Sequence, residues 1–270
     1  MRRAAAVALV ALLTAGCSLS GSNAPEKSAA SASPSASASP TPQPAPVVGD
    51  CHRLAFTAAA QPEDATPAVP CRGPHTSETV KVGQLAAVTG GSTDVSSGAV
   101  RDKVSRACSP RLLRYAGGDT LTKRLSRLEV VWFVPTKEAV DAGAGWFRCD
   151  VVALAAANSL IRLPRTVKGV LDASDALDQF GTCGTTQPGK PGFQRVVCRR
   201  HHTWRAVSTV DLDPHAAYLG KNAAAQGDAS CKDVASGRSN GSLKYTWSFE
   251  WPTRDQWDAG QRYGYCWVPG

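Results

Sequence analysis

One signature occurs twice in this chain. From Trp251 it runs Pro252-Thr253-Arg254-Asp255-Gln256-Trp257-Asp258-Ala259-Gly260 and reaches Cys266. From Val134 it runs Pro135-Thr136-Lys137-Glu138-Ala139-Val140-Asp141-Ala142-Gly143 and reaches Cys149, every matched position offset by 117. Self-similarity at a fixed offset sets the number of structural units before any single residue is interpreted. Two copies of one module are expected, over residues 49–165 and 175–270. Thr253 followed at the third position by Gln256 is a capping-box pattern. Gly260 and Gly143 are natural stops beyond the last turn, so each signature reads as a short helix joining two strands.

The cysteines divide the same way. After Cys17 eight remain, four in each copy: Cys51, Cys71, Cys108 and Cys149, then Cys183, Cys198, Cys231 and Cys266. Outside the cytoplasm an even set in each repeat reads as a disulfide framework. Four cysteines allow three pairings, and sequence does not choose among them. Pairing of neighbours in order is expected: Cys51–Cys71, Cys108–Cys149, Cys183–Cys198 and Cys231–Cys266.

Other anchors agree between the copies. Gly49-Asp50-Cys51 matches Gly181-Thr182-Cys183, and Cys71-x3-His75-Thr76 matches Cys198-x3-His202-Thr203. Short strands are expected next, at Val80–Val82 and Val207–Val210. Val100, Val104 and Cys108 recur every four residues and line one face of a helix, with Ser109 placed to cap a new turn at Pro110. In the second copy Asp213-Pro214 opens an expected helix, and Cys231 lies in another. Leu243, Tyr245, Trp247, Phe249 and Trp251 alternate with polar residues, the period of a half-buried strand. Subtracting 117 gives Leu128, Val130, Trp132 and Val134 the same inward face in the first copy. The last strands hold Cys149 to Leu154 and Tyr263 to Val268, and a connector of small residues runs from about Leu163 to Asp178. The fold class is α+β: two tandem, disulfide-stapled modules, each an antiparallel sheet with short helices, after a disordered stalk.

The beginning of the chain sets the compartment. Arg2 and Arg3, the apolar run Ala4 to Leu13, and Ala15-Gly16 before Cys17 form a secretory signal over residues 1–16. The apolar run is too short for a span, which needs about 20 residues. Leu12-Leu13-Thr14-Ala15-Gly16-Cys17 resembles the bacterial lipobox, with Thr14 departing from its usual aliphatic residue. That resemblance implies a lipid on Cys17, and a palmitate-type anchor holding the chain on the extracytoplasmic face of the cell membrane. Residues 17–48 are mostly Ser, Ala, Pro and Thr with few charges, which cannot bury enough apolar surface to order themselves.

Charge excludes one class of partner. Lys plus Arg exceed Asp plus Glu by 30 to 22, a moderate +8 and no nucleic-acid signature. One basic stretch stands out: Arg101, Lys103, Arg106, Arg111, Arg114, Lys123, Arg124 and Arg127. Exposed on one surface it would meet an anionic wall polymer or lipid headgroups; otherwise it is a solvated helix face. His75 and His202 follow their cysteines at the spacing of a zinc ligand pair, but each would need two more ligands and a reduced thiolate. No metal and no cofactor are therefore expected, and the two histidines read as orienting the turn after the cysteine. There is no C-x-x-C for thiol exchange and no G-x-S-x-G elbow for acyl transfer. Trp257, one of five tryptophans in the second copy, is either a sugar-stacking indole or core packing.

The layout Pro70-Cys71-x-x-Pro74-His75-x-x-Glu78, then Cys108, Trp132, Gly143 and Cys149, resembles the actinobacterial septum formation domain. The second copy departs from it, with Val197, His201 and Arg205 in place of Pro70, Pro74 and Glu78. The resemblance implies a secreted or membrane-attached protein associated with division septa and no established catalytic residues. The expected function is non-enzymatic: a membrane-anchored lipoprotein whose modules bind a cell-wall polymer or envelope protein, with His75, His202, Arg101, Lys103, Arg106 and Trp257 as binding residues. The alternative is an envelope hydrolase or sugar-active enzyme with its site near His75 or His202.

Overall fold

The structure is a computed structural model of the chain and describes residues 44–270. The expected signal sequence over residues 1–16, Cys17 and the expected stalk up to residue 43 lie outside the described residues. The first half contains β1 (Cys51–His52), α1 (Phe56–Ala59), β2 (Ser77–Gln84), α2 (Leu85–Thr89), α3 (Gly98–Cys108), α4 (Arg111–Ala116), α5 (Thr120–Leu125), β3 (Leu128–Phe133), α6 (Lys137–Asp141), β4 (Trp146–Ala156) and β5 (Ser159–Leu160). Its strands pair antiparallel in the order β1-β2-β4-β3, with β5 turning back on β4. β4 is the spine of this sheet: it pairs with both β2 and β3, and its first eight residues are buried on both faces. Val100, Val104 and Cys108 form the buried face of α3, as their four-residue spacing dictates. The Cys108–Cys149 disulfide ties that helix to the middle of β4.

The second half contains α7 (Ala176–Phe180), β6 (Thr182–Gly184), β7 (Arg195–Val197), β8 (Trp204–Asp211), α8 (Ala224–Arg238), β9 (Ser248–Glu250), α9 (Arg254–Asp258) and β10 (Tyr263–Pro269). Its sheet runs β7-β6-β8-β10-β9, also antiparallel. Leaving β7 aside, this is the strand order of the first sheet. α6 and α9 start and end 117 residues apart, and β2 and β8 start and end 127 apart. All four expected disulfides form, and Cys231–Cys266 ties α8 to β10 as Cys108–Cys149 ties α3 to β4. Thr136 and Thr253 both cap their helices, Thr253 in a full capping box with Gln256. Gly143 and Gly260 follow at φ 99° and 96°, the left-handed backbone that a glycine adopts without strain.

Several local expectations fail for visible reasons. The strand expected over 243–251 is only three residues long. β9 pairs solely with β10, and the pairing stops at Ser248 opposite Trp267, just before Pro269, which has no N–H to extend the ladder. Leu243 is 96% exposed. Trp247 covers α8 instead, its indole N–H donating to Asp228 at 2.9 Å. Asp213-Pro214 opens a single turn, with Asp213 Oδ1 accepting from His215 N at 2.9 Å; the helix begins only at Ala224. Ser109 does not cap α4, because its hydroxyl donates back to Ser105 O at 2.9 Å.

The connector is no loose tether. Leu163, Val167, Leu171, Ala176 and Phe180 are buried in the core of the first sheet, together with Val197 of β7. Leu125 of α5 packs in turn among Trp204, Ala206, Tyr265 and Trp267 of the second. Both sheets belong to one compact unit.

Candidate functional site

The Cys71-x-x-Pro74-His75-x-x-Glu78 segment brings together residues that hold other residues. Cys71 is bonded to Cys51. His75 is 1% exposed, and its Nδ1 lies 2.9 Å from the carbonyl of Gly73. His202 makes the same contact two residues back, Nδ1 to Arg200 O at 2.7 Å, on a more open surface. Both rings brace the turn that follows their cysteine. With Cys71 and Cys198 in disulfides, neither Cys-x3-His pair offers a thiolate. Glu78 is buried at the start of β2 and receives three hydrogen bonds: from the Tyr115 hydroxyl (2.6 Å), the Thr166 hydroxyl (2.8 Å) and the Val167 N–H (2.6 Å). It thereby fastens the connector to the first sheet. Burial, and then the bond to Glu78, push the Tyr115 phenol up to about 12.

A second buried network lies nearer β1. Arg148 and Asp150 flank Cys149 on β4, so their side chains share the face opposite the disulfide. Arg148 is 3% exposed; it pairs with Asp64, stands 3.3 Å from Asp150 through Nε, and lies over the Phe133 ring at 4.7 Å. Asp150 accepts from Thr79 (2.8 Å) and Ser77 (3.1 Å), and Thr79 Oγ1 is 3.4 Å from His52 Nε2. Burial pushes the Asp150 carboxyl up, while Arg148, His52 and the two hydroxyls pull it back. His52, not His75, is thus the histidine gathered with acids. The sequence signal was present as two opposite charges at i and i+2 around a strand cysteine.

The basic stretch splits into three groups. With 100° per residue on α3, the buried row Val100–Val104–Cys108 leaves Arg101 on one flank and Lys103 and Arg106 on the other. Arg101 reaches Glu63 at 3.3 Å and Val95 O at 2.8 Å. Lys103 donates to Thr89 O at 2.8 Å, and Arg106 is exposed near the helix end. Past the turn at Gly117 and Gly118, both at left-handed φ, the chain changes direction. A Cβ at Gly117 would fall 2.1 Å from the Asp172 carboxylate. Arg124 therefore pairs with Asp211 of β8 at 2.7 Å, Arg127 donates to Leu154 O at 3.3 Å, and Lys123 lies beside Arg124 in the last turn of α5.

What remains of the stretch gains a member that sequence order did not reveal, Lys81 of β2. Lys81 and Arg111 both donate to the Ala107 carbonyl at the end of α3, at 3.5 and 3.3 Å. Partial burial, then the charges of Arg111 and Arg114, lower the Lys81 amine from its ordinary value. Lys81, Lys103, Arg106, Arg111 and Arg114 make no ion pair with any carboxylate among the described residues. Lys81, Arg111 and Arg114 gather into a cationic face across β2, the end of α3 and α4, with Lys103 and Arg106 on the adjoining flank of α3.

Trp257 lies elsewhere. It is 7% exposed and packs with Leu212, Cys231, Phe249 and Cys266 under the Arg262 guanidinium, 4.0 Å above the ring. Its counterpart Val140 packs against the core of the first sheet, so the indole occupies a position used for packing in both halves. Among the described residues no three His, Cys, Asp or Glu side chains are grouped to hold a metal ion, and no helix is long and apolar enough to cross a membrane.

No curated protein and no solved structure matches this chain. A family model described as septum formation matches residues 48–266, taking in all four disulfides, the first sheet, the connector and the second sheet as far as Cys266 in β10. The chain belongs to the septum formation family.

Proposed function

We propose that this is a non-enzymatic extracytoplasmic lipoprotein, held to the membrane by lipid on Cys17, whose two related modules engage an anionic envelope component near division septa. Family membership points to a cell-division-related extracytoplasmic role, and four disulfides accord with an oxidising compartment. The observation that carries the binding part is the cationic face. Like charges gathered without acidic partners raise each other's energy, and an anionic surface relieves that cost. Lys81, Arg111 and Arg114 are its centre, with Lys103 and Arg106 beside them.

The test uses the full chain with Cys17→Ala, which removes the lipid and leaves the face intact. Sedimentation with anionic vesicles, zwitterionic vesicles and isolated cell wall is measured across a salt series. Binding is expected to an anionic surface only, and to weaken as salt screens the charges. Each cation near an anionic membrane is worth about 1 kcal/mol. The triple variant Lys81→Gln, Arg111→Gln, Arg114→Gln should therefore bind about a hundredfold more weakly. Equal binding to zwitterionic vesicles, or unchanged binding by the triple variant, contradicts the reading.

A further inference from the structure

The outer edge of the first sheet is open over a short length, and that length faces a groove. β3 pairs with β4 from Leu128↔Ala153 to Phe133↔Arg148. Just before the strand, Leu154 N donates to Arg127 O at 2.9 Å. In an antiparallel pair the bonded positions alternate, so Arg127, Glu129, Val131 and Phe133 are the residues bonded to β4. Leu128, Val130, Trp132 and Val134 turn their N–H and C=O groups the other way. At one end that outward position is filled: Val134 N donates to Pro62 O at 2.9 Å, and Glu63 bridges Val134 in parallel. At the other end Leu128 N reaches Ser126 Oγ at 3.4 Å. Between them, the main-chain groups of Val130 and Trp132 have no hydrogen-bond partner among the described residues. Both residues, with Val131, line a groove of about 380 Å³ whose far wall is Ala59 to Pro62 and Arg101.

We infer that this groove takes an extended segment of a partner protein, which adds a short strand to β3 through the free groups of Val130 and Trp132. Two N–H and two C=O groups at alternate positions match an extended backbone. At about 3.3 Å per residue, the slot between Ser126 and Pro62 accepts about five residues. The Pro62–Val134 contact is one rung of the same ladder already made, so the incoming strand continues an existing pairing line. Ala59, Ala60 and Pro62 leave room only for small side chains, Gln61 and Arg101 add polar groups at the rim, and the rungs exclude proline, which lacks the donor. Two copies do not pair β3 to β3, because each β3 is recessed behind the same wall and two recessed edges do not meet. The groove and the cationic face are different surfaces, so binding at one is independent of binding at the other.

The probe is a capped pentapeptide of alternating alanine and valine, added to the full chain while amide exchange is followed by NMR. Exchange at Val130 and Trp132 should slow at least tenfold on saturation, and the same peptide with N-methylated alternate amides should have no effect. Val130→Pro removes one outward N–H and no bond to β4, and should abolish the slowing while the fold is retained. No slowing at millimolar peptide, or equal slowing by the N-methylated control, overturns the inference whether or not Val130→Pro folds. It is also overturned if the two amides are already protected in the free chain. Protection that is lost on removing residues 1–43 would assign the groove to the chain's own N-terminal stretch. Protection that rises with protein concentration would assign it to a second copy.

Discussion

Arg148 is the side chain on which the first sheet is most exposed to damage. It is buried between Asp64 and Asp150, and removing one member of a buried charged set leaves the others without compensation. Arg148→Ala should lower unfolding free energy by about 3 to 5 kcal/mol in chemical denaturation. Glu78 predicts a smaller loss. Tyr115→Phe takes away one hydrogen bond to a buried carboxylate, which costs about 1 to 3 kcal/mol, and should loosen the connector at Thr166 and Val167 first. The same pair has a pH signature. The Tyr115 phenol is raised to about 12, above its unfolded value of about 10. Its contribution to stability is therefore complete below pH 10 and disappears as pH rises through about 12. An absorbance titration should show a tyrosinate step near 12 that is missing from Tyr115→Phe. Neither network was evident from the sequence, because both are assembled from residues distant in the chain, as when Asp64 meets Arg148. Only the i, i+2 charges around Cys149 hinted at one of them.

The elements were more legible where a short-range rule was sufficient. The 117-residue offset located α6 and α9, and the four-residue row located α3. The alternation from Leu243 to Trp251 misled, because a strand needs a partner as well as a pattern, and β10 offers one only opposite residues 248–250. The basic stretch misled for the complementary reason. Neighbours in sequence on α3 point to different flanks, while Lys81 reaches the cationic face from another strand. Each helix-to-strand disulfide predicts a measurable loss. Cys108 and Cys149 close a separation of 41 residues, Cys231 and Cys266 one of 35. In the chain-entropy account, opening either by a paired Cys→Ser change should cost about 4 kcal/mol. Because α8 shows a weaker apolar row than α3, loss of the second bridge should uncouple the helix more completely. Amide exchange across Ala224–Arg238 measures that directly.

The whole described chain is two sheets of like strand order, joined by a buried connector and by side chains that cross between the halves, such as Arg124 to Asp211. The halves differ where the account places function. Cations gather on the first, and the tryptophans of the second pack largely inward, with Trp257 and Trp267 buried. If lipid on Cys17 attaches the protein to the membrane, Cys17→Ala should move it from the membrane fraction to the soluble extracytoplasmic fraction; retention in the membrane at the wild-type level would rule out the anchor. Whether the cationic face holds the protein at the septal envelope is measured most directly by localisation in dividing cells. The full chain with a fluorescent tag is compared with the Lys81→Gln, Arg111→Gln, Arg114→Gln variant, both confirmed as folded and membrane-attached. The wild type should concentrate at division septa, and the variant should spread evenly over the cell surface. Septal enrichment of the variant at the wild-type level, or an even distribution of the wild type, would contradict that role of the face.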